Sequence, residues 1–281
     1  MSTVLKLIRP INCLMGIVGV LIGAIVGVGF EVFTERYAFE ISIGMFIAFF
    51  FMAAGNMLND YFDRELDLIN HPERPIPAGE IQPKYVLYSA AGIFAVLIIL
   101  GLTINIFMFL ILIIATLLMV SYELYLKRRG FVGNITISIL VGLLFIFGAA
   151  VVAIFGVVII LSILASLATM TREIVKDIED IKGDVNRITL PKIIGIKNAG
   201  IIASISLIIA IILSPIPIFP EILPILEFPS LGYSYIYLIL PADFLFIISI
   251  YFYTHNPEYA SNLLKGGMLL ALLAFIIGSI F

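Results

Sequence analysis

The chain has 281 residues, 62% of them hydrophobic and only 12% charged, with a net charge of −3. Soluble domains carry about twice that share of charge, so the composition excludes a soluble enzyme and leaves little sequence for a separate soluble domain; one domain over 1–281 is expected, and no nucleic-acid partner. A single cysteine, Cys13, excludes an internal disulfide, and two histidines, His71 and His255, supply no His/Cys zinc set.

A bilayer-spanning helix needs about 20 apolar residues. By that measure nine spans run over 11–29, 39–62, 84–103, 105–124, 132–153, 156–176, 190–213, 233–253 and 261–281. The expected fold class is therefore all-α: a multi-pass membrane protein with nine transmembrane helices bundled around a central cavity. The first apolar run is long enough to span, so no cleavable signal peptide is expected. The turn at Thr103-Ile104-Asn105 divides an apolar run about twice a spanning length. With the N-terminus in the cytoplasm, alternating spans put all of the 16 lysines and arginines except Arg36 on the cytoplasmic side, a strong positive-inside bias. The proline-rich outer segment 214–232 reads as a loop or a short surface helix. No tryptophan is present, so tyrosine and phenylalanine must form any interfacial belt.

Charge concentrates where the apolar runs end. Span two closes on Asn56-Met57-Leu58-Asn59-Asp60-Tyr61-Phe62-Asp63-Arg64-Glu65-Leu66-Asp67. Steps of three and then four put Asp60, Asp63 and Asp67 on one helix face. Asp177, Asp180 and Asp184 repeat that spacing at the end of span six, four helices later and on the same predicted side. This suggests a weak internal repeat with a site between its halves. Carboxylate oxygens suit Mg²⁺, which also uses phosphate oxygens as ligands, so the candidate metal ligands are the six aspartates with Asn59. The plainer alternatives are a solvated helix end for the first trio and a solvated acidic-basic loop for the second. Aspartate is too short to reach far out of a membrane, and the matched spacing also argues against both.

Basic and polar residues near the trios are candidates for an anionic substrate, each with a simpler reading beside it. The segment from Asn70 to Glu80, rich in proline, could cap the first trio with Arg74, or be an ordinary turn. Tyr122, Lys127 and Arg128 end span four and either bind phosphate or set topology. Arg172 and Lys176 precede the second trio; Lys176 adjoins Asp177 and does not share its face. Arg9 and Asn12 open span one beside a helix-start proline. Gly16, Gly19, Gly23 and Gly27 recur in span one at spacings that favour close helix packing.

The pair of aspartate motifs resembles that of the UbiA superfamily of intramembrane prenyltransferases, and the likeness covers the whole chain. It includes Arg9-Pro10-Ile11-Asn12 before the first helix and Tyr122 with Lys127-Arg128 after the fourth. Arg74-Pro75-Ile76-Pro77-Ala78-Gly79 and the segment from Arg172 to Asp180 are most similar to archaeal digeranylgeranylglyceryl phosphate synthases. The resemblance implies Mg²⁺ as cofactor and Asp60, Asp63, Asp67, Asp177, Asp180 and Asp184 as catalytic residues. It implies Arg9, Asn12, Asn56, Asn59, Arg74, Tyr122, Lys127, Arg128, Arg172 and Lys176 as substrate-binding. The implied reaction moves a geranylgeranyl group from geranylgeranyl diphosphate to geranylgeranylglyceryl phosphate in the bilayer. Two other readings stand beside it: transfer to an aromatic quinone- or chlorophyll-type acceptor, and cation-coupled transport, for which Asp243 is the one mid-span acid.

Overall fold

A computed structural model of the chain describes residues 2–182, 188–226 and 228–281. Asp184 therefore lies outside the described residues. Among those described, nine helices are long and apolar enough to cross a membrane. They are α2 (Pro10–Val28), α3 (Glu35–Asn70), α4 (Pro83–Ile104), α5 (Ile106–Leu124), α6 (Phe131–Val152), α7 (Gly156–Glu179), α9 (Ile196–Leu213), α10 (Ser234–Phe252) and α11 (Pro257–Ile280). Two short helices, α1 (Thr3–Ile8) and α8 (Leu190–Ile194), precede α2 and α9. The protein is an all-helical, multi-pass membrane bundle, as its composition requires.

Local chemistry sets the helix boundaries. Proline stands at the start of α2, α4 and α11, where its missing N–H costs no hydrogen bond. Asn105 separates α4 from α5: its Oδ1 accepts from the Met108 N–H at 2.9 Å, while its amide donates to the Ala150 carbonyl on α6 at 2.9 Å. One side chain thus starts a helix and ties it to a neighbour. The seventh expected span differs in detail, because Gly195, at φ +84°, breaks 190–213 into α8 and α9. Short 3₁₀ turns at Ile216–Ile218, Pro220–Ile222 and Pro224–Leu226 occupy the proline-rich segment after α9.

Helix α3 is the exception in length. Its 36 residues span about 54 Å at 1.5 Å per residue, against about 30 Å of hydrocarbon. No glycine or proline interrupts it between Asn56 and Asn70. The first aspartate trio therefore rides on an unbroken rod that continues past the expected end of the span.

The packing order repeats. Helices α2, α3, α4 and α5 contact one another in sequence, and so do α6, α7, α9 and α10. The corresponding first helices of the two sets, α2 and α6, pack together, and α11 closes the bundle against α2, α7 and α10. The α2–α6 seam is a backbone contact. A Cβ on Gly23 would stand 2.3 Å from the Phe145 carbonyl oxygen, and one on Gly148 would stand 2.3 Å from that of Val20. Small residues allow this approach where no hydrophobic drive separates helix from lipid.

Gly148→Ala should force this seam apart and cost about 1–3 kcal/mol. Gly92→Ala on α4, where a Cβ meets nothing within 4 Å, should be neutral or slightly stabilising. Thermal unfolding of the two purified variants checks the contrast; equal midpoints would refute the seam as a close-packed contact.

Candidate active site

The first trio sits in a closed set of ion pairs supplied by three separate segments. Arg9 donates to Asp60. Arg74 donates to Asp67 at 2.6 Å and lies 3.7 Å from Asp60. Lys127 donates to Asp63 at 2.5 Å and to Glu123 at 2.9 Å. Asp60 and Asp67 are buried and Asp63 half-buried. Three carboxylates on one helix face repel one another, and their burial is tolerable only with such partners.

The local fold aims each cation. Arg9 lies between α1 and α2 in the left-handed region, at φ +51°. The break exposes the Ile8 carbonyl, which accepts from the Asn56 amide at 2.8 Å and from Cys13 Sγ at 3.1 Å. Asn56 and Cys13 thus hold the bend that directs Arg9 at Asp60. Arg74 belongs to a turn-rich segment pinned by Ile76, which is buried in a cluster with Leu7, Leu58 and Val86. That segment is also fastened from outside: Glu80 accepts from Thr3 at 2.8 Å and from Lys6 at 2.5 Å. These two donors hold the exposed Glu80 carboxyl below its usual range.

The stretch from α5 into α6 joins the two motifs. Glu123, in the last turn of α5, is buried and accepts from Asn59 at 3.2 Å and from Lys127. Asn59 also donates to Asp63 at 3.0 Å. Seven residues after Lys127, Asn134 opens α6 and donates to Asp177 at 2.8 Å, both side chains being buried. One connection between consecutive helices therefore touches the first motif with Lys127 and the second with Asn134. Gly130, at φ +51°, makes this turn, and a Cβ there would stand 3.2 Å from the Ile188 carbonyl oxygen.

The other predicted residues fall around this core. Asp180 is exposed and begins a 3₁₀ turn, Asp180–Lys182, at the end of α7. Arg172 is half-buried and pairs with Glu173 at 2.6 Å. Asn12 and Tyr122 are half-buried, whereas Lys176 and Arg128 are exposed. Asp243 belongs to a different arrangement: it accepts from Ser214 Oγ at 2.7 Å, and the Tyr235 hydroxyl donates to the Ser214 carbonyl at 2.8 Å. This lock ties α10 to the end of α9 and engages the one mid-span acid.

Sequence reasoning missed Glu123 and Asn134. A signal existed for both. Glu123 stands four residues before Lys127 at the end of an apolar helix, an ion-pair spacing, and Asn134 is a polar residue opening another. As metal ligands, the motif side chains are oxygen donors only, which fits Mg²⁺. Among the described residues no three His, Cys, Asp or Glu side chains form a ready-made cluster. Mg²⁺ characteristically takes one or two carboxylates and completes its shell with water and phosphate, so the donor set suits it.

A family model for UbiA prenyltransferases matches residues 17–276. The chain belongs to the UbiA prenyltransferase family. It is 38% identical to the digeranylgeranylglyceryl phosphate synthase of Methanosphaera stadtmanae, with 100% of both chains covered. To the enzyme of the same name from Methanosarcina mazei it is 37% identical over 98% of each. A solved digeranylgeranylglyceryl phosphate synthase superposes with a TM-score of 0.88 at 35% identity, covering 99% of this chain and 98% of that one. A UbiA homolog from Archaeoglobus fulgidus, solved with GPP and Mg²⁺, shares the fold at a TM-score of 0.70 and 18% identity, covering 98% of this chain and 99% of that one. Membership makes the chain a prenyltransferase and removes the transporter reading, in keeping with the engaged Asp243.

Lys127→Met should leave Glu123 buried without its cation and lower stability by about 1–3 kcal/mol. Adding Glu123→Gln removes that orphaned charge, so the double variant should regain much of the loss. Thermal unfolding of the four forms measures the coupling; additive losses would mean that Lys127 does not neutralise Glu123.

Proposed function

We propose that this UbiA prenyltransferase is a digeranylgeranylglyceryl phosphate synthase. The observation that carries the reading is the convergence of Arg9, Arg74 and Lys127 on a single aspartate motif above an apolar interior. This arrangement suits a diphosphate head on a long apolar chain, and the full-length likeness to synthases of that name supplies the acceptor.

The reaction joins geranylgeranyl diphosphate and geranylgeranylglyceryl phosphate. The bond between the allylic carbon and the diphosphate oxygen breaks, and the bonding pair leaves with diphosphate. The free glycerol hydroxyl of the acceptor forms the new ether bond and loses its proton to diphosphate or to a motif carboxylate. Asn59, Asp60, Asp63, Asp67, Asp177 and Asp180, with Asp184, would hold Mg²⁺. When bound, Mg²⁺ neutralises charge on the leaving group.

The chain's own contribution is electrostatic and positional. Arg9, Arg74 and Lys127 are prealigned cations that can turn from carboxylate to diphosphate oxygens with little reorganisation, the arrangement most effective at stabilising developing charge. Their donor geometry differs: the two guanidiniums can grip oxygens in pairs, whereas the ammonium acts as a point charge. The apolar interior keeps water from the allylic cation. The bias of lysine and arginine supports a cytoplasmic position for this face.

Purified protein given radiolabelled geranylgeranyl diphosphate and a panel of acceptors should label geranylgeranylglyceryl phosphate, and an aromatic acceptor poorly or not at all. EDTA should abolish transfer and added Mg²⁺ restore it. Preferred labelling of the aromatic acceptor would overturn the assignment, and full activity in EDTA would overturn the role of metal.

Topology is checked by single cysteines in a Cys13→Ser background. Glu65→Cys, at a side chain 86% exposed, should react with an impermeant maleimide only from the cytoplasmic side. Arg36→Cys, 72% exposed, should react only from outside. The reverse pattern would invert the orientation.

A further inference from the structure

Among the described residues, Glu123 is the one buried acid at the site that belongs to neither aspartate motif. Its side chain is 3% exposed and comes from α5, not from the helices that carry the motifs. Packing does not call for a charge there, since an apolar side chain of that size would fill the space without the cost of desolvating a carboxylate. Its polar contacts all lead to the first motif and its cation. Oε1 and Oε2 accept from Asn59 Nδ2 at 3.2 and 3.5 Å, and Oε2 accepts from Lys127 at 2.9 Å. The ammonium of Lys127 offsets the buried charge, which lets an acid serve at this position.

The amide of Asn59 shows what that acid does. A side-chain amide carries two N–H donors and one carbonyl acceptor on the same carbon. Here the nitrogen faces two carboxylates, Asp63 one turn along α3 at 3.0 Å and Glu123 on the neighbouring helix. Turning the amide over would set its oxygen against both acids, so the surroundings decide which end is nitrogen. Oδ1 is left on the other branch of the amide and accepts no hydrogen bond among the described residues. In the metal reading proposed above, on which this inference rests, Asn59 is a ligand of Mg²⁺, and that oxygen is the atom able to bind. Asp63 is a ligand in the same reading, so its oxygens are shared between metal and neighbours. Glu123 stands outside the ligand set and keeps its hold on the amide. We propose that Glu123 is the positioning residue of the metal site, fixing the Asn59 amide so that its oxygen is the end presented to Mg²⁺. Partners that orient a ligand from behind in this way set metal affinity almost as strongly as the ligands themselves.

The test titrates Mn²⁺, a paramagnetic stand-in for Mg²⁺, into purified protein with equimolar inorganic diphosphate and reads the bound metal by EPR against a protein-free blank. Wild type is measured first; no protein-bound Mn²⁺ would overturn the metal reading and this inference with it. With binding established, Asn59→Ala should weaken it about tenfold or more, and an unchanged affinity would overturn the inference alone. Glu123→Gln and Glu123→Met are then compared. Both are uncharged and of nearly the same size, but only glutamine offers an oxygen to the Asn59 amide. Glu123→Met should bind Mn²⁺ about tenfold or more weakly than Glu123→Gln. The two should become equal once Asn59→Ala is added, because the contact that distinguishes them is gone. Equal affinities while Asn59 is present, or a difference that survives its removal, would overturn the proposal. Thermal unfolding of the same variants should give similar midpoints for Glu123→Gln and Glu123→Met; a failure to fold confined to Glu123→Met would make the contact structural and overturn the proposal as well.

Discussion

The structure is organised around the repulsion among Asp60, Asp63 and Asp67 on one face of α3. Two of the three are buried, and charge of one sign held out of water is costly unless countered nearby. Each carboxylate has its own cation from a different part of the chain: Arg9 from the bend before α2, Arg74 from the segment after α3, Lys127 from the turn after α5. The distorted local structures have a common purpose. The left-handed Arg9, the turn-rich segment pinned by Ile76 and the Gly130 turn each deliver a cation, or the element beside it, to the same helix end. A diphosphate carries the same sign of charge as the carboxylates, so the cations that satisfy the aspartates have the charge that the proposed substrate needs.

Much of this was legible in the sequence. Nine apolar runs, the break near Asn105 and the two aspartate trios follow from periodicity and composition, because a membrane leaves a chain few options. The proximity of Arg74 to the first trio followed from its place just after it. Three-dimensional neighbours were harder to read. Lys127 is 64 positions from Asp63, and spacing says nothing about such a pair. Glu123 looked like one more charge at a helix end, and only the fold turns it inward against Asn59. Asn134 stands out as a polar residue opening an apolar helix, but nothing in the sequence pairs it with Asp177. The continuation of α3 to Asn70 was missed because hydropathy marks where a helix leaves the membrane, not where it stops. The division at Gly195 was missed because glycine is tolerated inside membrane helices as well as at their breaks.

The repeated packing order gives the site its two-sided character. Each set of four helices contributes one carboxylate motif, and α2 and α6 hold the sets together through the Gly23–Gly148 seam. Helix α6 is therefore more than a neighbour of α7. Its C-terminal half is fixed against α2 at Gly148, and its first turn holds Asp177. A helix held at both ends in this way is a fixed post of the bundle, whereas α4 and α5 expose more of their length than α6 does.

The charged contacts also differ in how far salt can reach them. Lys6, Thr3 and Glu80 form an exposed clasp between α1 and the segment that carries Arg74, while the pairs made by Arg74 and Lys127 lie deeper. Mobile ions screen surface charges strongly and buried ones weakly. Glu80 is held below the usual carboxylate range by Lys6 and Thr3, so its contribution is present above the ordinary carboxylate pKa and fades as pH falls through the lowered one. Ionic strength therefore acts first on the clasp and least on the inner pairs. Salt can weaken the fastening of the Arg74 segment to α1 while the inner pairs keep their attraction.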